Sequence, residues 1–185
     1  RALVRAATQA RDTYGLTDVP ADETDMRRYV SAALAGRDTG TMLPFAIVSR
    51  HAERVVGSTR FGNVEFWNWA ERNPHQRGKD LPDVLEIGWT WLAQEAQRTG
   101  INTEAKLLML THAFETLRVH RVSLKTDSRN ERSRKAIERL GAKFDGVIRA
   151  HQTAYDGAIR DSAYYSILDS EWPRVKSGLE ARLRG

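Results

Sequence analysis

One stretch constrains this chain more than any other. Val84 to Leu92 is an apolar, aromatic run. The polar turn Gln97-Arg98-Thr99-Gly100-Ile101-Asn102-Thr103 follows it, and from Asn102 to Leu117 the residues Leu107, Leu110, Phe114 and Leu117 recur at helical spacing. A central strand that runs through a short turn into an amphipathic helix needs a sheet with a helical layer laid upon it. The same arrangement suits an anion. The first N–H groups of the helix lack internal partners, and its dipole is positive at that end. Gly100 lets a ligand approach the backbone, Arg98 adds a positive charge, and Asn102 or Thr103 is the candidate N-cap. From these residues alone a plain capped turn is the better reading, because one glycine is a weak signal.

The flanking sequence extends the α/β reading. Leu3, Ala6, Ala7 and Ala10 mark a first helix, and Asp22 to Ala35 a second. Leu43 to Ser49 and Arg54 to Phe61 read as a hairpin, and Phe66 to Pro82 as a loop. After the long helix, Arg121 to Thr126 alternates as a strand, and Asn130 to Leu140 is a helix closed by Gly141. Phe144 to Ala154 and Ile159 to Leu168 are strands joined at Tyr155-Asp156-Gly157, a strong hairpin signal. Glu171 to Leu183 is a last helix with Pro173 in its first turn. The expected architecture is one mixed α/β domain, residues 1–185, with helices packed on a central sheet.

Composition excludes several classes. The chain has no cysteine, which removes disulfides and thiolate metal sites and fits a reducing compartment. No apolar run approaches the roughly 18 residues of a membrane span. The start, Arg1-Ala2-Leu3-Val4-Arg5, does not read as a signal peptide, so a cytoplasmic location is expected. The net charge of +5 admits nucleic acid or a small polyanion as partner. The basic residues are scattered, so a solvated surface is the plainer reading.

Three further groups of residues carry a resemblance: Glu86-Ile87-Gly88-Trp89; Asn130 with Ser133, Ala136, Leu140, Gly141 and Ala142; and Tyr165-Ser166-Ile167-Leu168 followed by Glu171-Trp172. With them the chain resembles the GNAT superfamily of acyl-CoA N-acyltransferases, and more narrowly its RimJ/RimL-like branch. The resemblance implies a mostly antiparallel, twisted sheet that splays at the cofactor site, with helices on its faces. In the family's turn pattern, Q/R-x-x-G-x-G/A, Gln97 and Gly100 match, while Asn102 stands where a small residue is usual. Relatives usually open with a β-strand before the first helix. Here the sequence begins almost inside that helix, so the first strand is either truncated or absent.

By this resemblance, acetyl-CoA is the co-substrate and no metal is needed. The backbone at Trp91 and Leu92 would pair with the pantetheine amides, or else only with neighbouring strands. Gln97, Arg98, Thr99, Gly100, Ile101, Asn102 and Thr103 would hold the diphosphate, with Arg98 a ligand or merely solvated. Asn130 would contact pantetheine, cap its helix, or do both. Ser133, one turn later, would lie near the sulfur and protonate the leaving thiolate, or be an exposed helix serine. Glu86 would be general base for the incoming ammonium, directly or through water, or else a structural ion pair or a half-exposed strand residue. His151 would face the acceptor, whereas His112 and His120 are expected at the surface, and none has metal-site spacing. Phe66, Trp67 and Trp69 line the acceptor opening or cover one end of the core, the second being the usual fate of aromatics.

The expected function is direct transfer of an acetyl group from acetyl-CoA to a primary amine, either a protein N-terminus or a small molecule. A non-catalytic acyl-CoA binder or sensor of the same fold is the alternative. A nucleic-acid module, motivated by charge alone, would bind with a steep salt dependence. The resemblance also implies a homodimer.

Overall fold

The computed structural model describes residues 1–185. Helix α1 (Ala2–Thr8) and a 3-10 turn at Arg11–Tyr14 lead to α2 (Glu23–Asp38). Three strands follow, β1 (Leu43–Ser49), β2 (Arg54–Glu65) and β3 (Val84–Leu92). Then come α3 (Ile101–Thr111), β4 (Arg121–Asp127), α4 (Glu131–Arg139), β5 (Lys143–Thr153), β6 (Ile159–Leu168) and α5 (Trp172–Arg184). The strands form one sheet in the order β1-β2-β3-β4-β6-β5, in which only β3 and β4 run parallel. The sheet is mixed and mostly antiparallel, as expected.

Alternation along the strands sorts side chains between two layers. Leu85, Ile87, Val122, Leu124, Ala163, Tyr165 and Ile167 meet α3, α4 and α5 in the main core. The other face is covered by α1 and α2 at the far end of β3, where Ala6, Ala7, Tyr14 and Met26 pack on Trp91 and Ala93. No helix packs on that face over β4, β6 and β5, and β5 is an exposed edge. No helix is long and apolar enough to cross a membrane.

Three local expectations are corrected. Helix α3 starts at Ile101 with Gly100 as N-cap, so neither Asn102 nor Thr103 caps it. Its last turn, His112–Thr116, widens to π geometry where Leu117 N–H reaches back to the His112 carbonyl. His112 and His120 are half-buried rather than at the surface: His112 lies over Phe61, and His120 stacks on Trp67 at 5.5 Å. Trp67 and Trp69 gather around the buried Asp83, which accepts from Trp67 N–H (2.6 Å) and Trp69 Nε1 (2.8 Å). They cover the core at the start of β3.

Candidate active site

The site is built on a fork in the sheet. β3 and β4 pair only through Val84, Leu85 and Glu86 with Arg121, Val122 and Ser123. Beyond Glu86 the two strands part, and residues 87–92 of β3 have no partner on β4. Such an edge offers backbone donors and acceptors to an extended ligand. On its other side β3 remains paired with β2, including Ser58 with Trp91 and Gly57 with Leu92.

A bulge shapes the fork. The β2–β3 register slips between Ser58 and Arg60, and Trp89 opposite has φ +50°. That conformation costs a bulky residue on the order of 1–2 kcal/mol. The Trp89 ring lies over Gly62, where a Cβ would stand 2.5 Å from Trp89 Cζ3. Arg60 is sandwiched nearby, its guanidinium carbon 4.0 Å from the centre of the Tyr29 ring and 5.6 Å from that of Trp89.

Below the fork lies the turn into α3. Gly100 has no side chain to cap the helix, and the N–H groups of Gly100, Asn102 and Thr103 have no protein acceptor. Thr99 Oγ1 takes only the Ile101 N–H, at 3.3 Å. Arg98, with φ +60°, is exposed. The Asn102 side-chain oxygen is buried without a partner. One expectation needs revision: the Leu92 carbonyl is not free. It accepts from Gln97 Nε2 at 2.9 Å, a side-chain bond that a ligand amide can replace.

Across the fork stands α4. Asn130 is its N-cap and accepts from Ser133 N–H at 3.0 Å. This fixes the first turn and sets Ser133, half-buried, one turn in from the cap. Arg129 bonds Asp127 and Asp156, tying the β5–β6 hairpin to the β4–α4 turn. The Arg129 hydrogen bonds hold the Asp127 carboxyl below its usual range.

Glu86 sits at the crotch of the fork, buried on the face away from the main core. Its Oε2 accepts from Asn63 Nδ2 (2.8 Å) and pairs with Lys125 Nζ (3.1 Å), while Oε1 carries no hydrogen bond. Gly88 makes room for it, since a Cβ there would stand 2.9 Å from Oε1. Farther along this face, His151 Nδ1 lies 3.0 Å from Ser162 Oγ, and its Nε2 lies 3.2 Å from Tyr164 OH. Burial first, then the Lys125 and Arg160 charges, push the His151 pKa below the ordinary histidine value, with Glu86 opposing. The imidazole is therefore mainly neutral near pH 7.

Trp91 and Leu92 thus lie on the arm of β3 beyond the fork, Gln97 to Thr103 form the turn that follows, Asn130 and Ser133 start α4, which Arg132 ties to that turn through Gln97, and Glu86 stands where β3 and β4 part. His151 stands beyond β4, beside Tyr164. Sequence reasoning missed Asn63, Lys125, Trp89 and Tyr164. Alternation in β4 carried a signal for Lys125, because it falls on the face opposite Val122 and Leu124 and hence on the face of Glu86.

A forked sheet with a free helix start beside the fork is the architecture of an acyl-CoA-dependent acetyltransferase. Residues 2–143 match the acetyltransferase (GNAT) domain family, and the chain belongs to that family. The likeness extends to its RimJ/RimL-like branch. Over 92 residues the chain is 40% identical to "Putative ribosomal N-acetyltransferase YdaF" of Bacillus subtilis (strain 168), a match spanning 49% of each chain. A GCN5-related N-acetyltransferase from Brucella melitensis superposes with TM-score 0.79 at 27% identity, covering 97% of this chain and 75% of that one. Mycobacterium smegmatis RimJ, solved in complex with CoA-disulfide, gives TM-score 0.75 at 25% identity, covering 99% and 84%.

Proposed function

We propose that this protein transfers the acetyl group of acetyl-CoA to a primary amine by direct attack in a ternary complex. The observation that carries this reading is the fork: β3 backbone at 87–92, without a partner on β4, leads into unpaired N–H groups at the start of α3. A thioester arm along the first and a diphosphate on the second match these groups in order. Glu86, on the face opposite the main core, takes the proton of the ammonium through its unbonded Oε1, directly or by way of water. Ser133 donates to the departing thiolate. His151 and Tyr164 line the acceptor side, where the neutral imidazole adds no charge to repel an ammonium.

The acceptor is a protein N-terminus or a small amine in the cytoplasm. The name of the Bacillus subtilis relative favours the former, and the open face over β4, β6 and β5 leaves room for a peptide. The exposed edge strand β5, with Phe144, Val147 and Ile148 about half exposed, is the surface for a homodimer. Calorimetric titration with acetyl-CoA, followed by a thiol-release screen over N-terminal peptides and small amines, tests the reading. Binding without release for any amine would instead support an acyl-CoA sensor. Failure to bind acetyl-CoA would sink both.

A further inference from the structure

Three arginines crowd the segment between β4 and the middle of α4, and two of them are committed. Arg129 is bonded to Asp127 and Asp156. Arg134 donates to Tyr165 OH and the Ser128 carbonyl. Arg132 leaves the helix in another direction and crosses the fork. Its Nη2 donates to Gln97 Oε1 (2.8 Å) and its Nη1 to the Thr13 carbonyl (2.8 Å). The Gln97 amide closes the ring, since Nε2 donates to Thr13 Oγ1 (3.0 Å) as well as to Leu92 O. Three segments distant in sequence are thereby strapped together: the 3-10 turn near Thr13, the turn before α3, and α4.

The partners of Arg132 are all uncharged oxygens, and it makes no ion pair, although its side chain is exposed. A guanidinium held only by neutral acceptors gains from exchanging them for an anion, because charge-assisted bonds are stronger and a phosphate accepts in fork geometry. The positive end of α3 and its unpaired N–H groups belong to the same turn as Gln97. Arg98 belongs to that turn too, but no protein contact aims its exposed side chain.

We propose that Arg132 is the side chain that binds the diphosphate of the acyl-CoA, and that it acts as a latch. On binding, its guanidinium exchanges Gln97 Oε1 and the Thr13 carbonyl for phosphate oxygens. This frees Gln97 to release the Leu92 carbonyl to the pantetheine arm. The proposal rests on the transferase reading above and adds to it a residue and an order of events.

The test is calorimetry of CoA, dephospho-CoA and pantetheine against the wild type, Arg132→Gln, Arg132→Lys and Arg98→Gln, each checked for an unchanged melting temperature. Loss of a charge-assisted contact weakens binding by about tenfold to a hundredfold. That loss is expected for Arg132→Gln with CoA and equally with dephospho-CoA, which keeps the diphosphate. Arg132→Lys falls between, and Arg98→Gln stays within about twofold. Pantetheine, with no phosphate, binds Arg132→Gln no more weakly than the wild type. Hydrogen exchange of residues 10–17 reports the latch: faster in wild type once CoA is bound, and already fast in free Arg132→Gln. CoA affinity of Arg132→Gln within twofold of wild type overturns the proposal and leaves the transferase reading intact. So does a loss that disappears with dephospho-CoA, or one that belongs to Arg98→Gln. A wild type that does not bind CoA at all removes both.

Discussion

The two halves of β3 have opposite fates. Val84, Leu85 and Glu86 are buried and all pair with β4, and Val84 and Glu86 pair with β2 as well. From Ile87 onward the same strand keeps β2 but loses β4, slips register at a bulge and places an aromatic residue at positive φ. Both halves are rich in β-formers, so propensity does not separate them. What separates them is whether the backbone groups are used up. The closed half is structure, and the open half is where a ligand supplies the missing partners.

The largest expected effect falls where the halves meet. Glu86→Gln removes the proton acceptor but keeps its shape, and kcat should fall about 10²–10⁴-fold with acetyl-CoA affinity unchanged. Steady-state kinetics beside calorimetry checks this, and a fall under threefold removes Glu86 as base. Next, Gly57→Val attacks the β2 pairing of the open half, opposite Leu92. A Cβ at Gly57 would stand 2.3 Å from the Trp91 carbonyl oxygen, so backbone must move. Thermal unfolding should show a loss of about 3 kcal/mol.

A third test concerns Lys106, buried on α3, whose Nζ donates to Thr59 Oγ1 (2.9 Å) and Thr90 Oγ1 (2.7 Å) and so staples β2 to β3 beside the bulge. Burial lowers its pKa to about 7. The unfolded chain therefore holds this proton up to the ordinary lysine range, while the folded chain releases it near pH 7. Between those values the unfolded state binds more protons, so stability contributed here rises with pH and is lost as pH falls toward 7. Lys106→Met should flatten the rise in melting temperature from about pH 7.5 to 9.5, a difference of up to a few kcal/mol. Equal slopes in both proteins would mean that the ammonium is not desolvated. The smallest effect is Ser133→Ala, for which kcat should drop about tenfold with the melting temperature unmoved. A KM change alone would make Ser133 a binding residue instead.

What the sequence made legible follows from range. The Asn130 cap, the hairpin turn at Tyr155-Asp156-Gly157 and the run Val84 to Leu92 each depend on neighbours within a few residues, and all appear. The start of α3 was misplaced by one residue because the Thr99 hydroxyl, not Asn102 or Thr103, satisfies the Ile101 N–H. The fork depends on where two strands separated by 28 residues of turn and helix diverge, which no local pattern states. Lys125 against Glu86 and Arg132 against Gln97 are contacts between segments distant in sequence, of the same kind. Trp89 at positive φ runs against what an aromatic residue prefers, and only its bed at Gly62 explains it.

The bridge from Arg129 to Asp127 and Asp156 has a further consequence. It makes the tip of the last hairpin and the turn carrying Asn130 one mechanical unit. A new hairpin tip grafted to change which amine is accepted will seat correctly only if it keeps a carboxylate at 156. Otherwise the graft will loosen the cap of α4, and the penalty will surface as weaker hold on the thioester arm rather than as altered choice of acceptor.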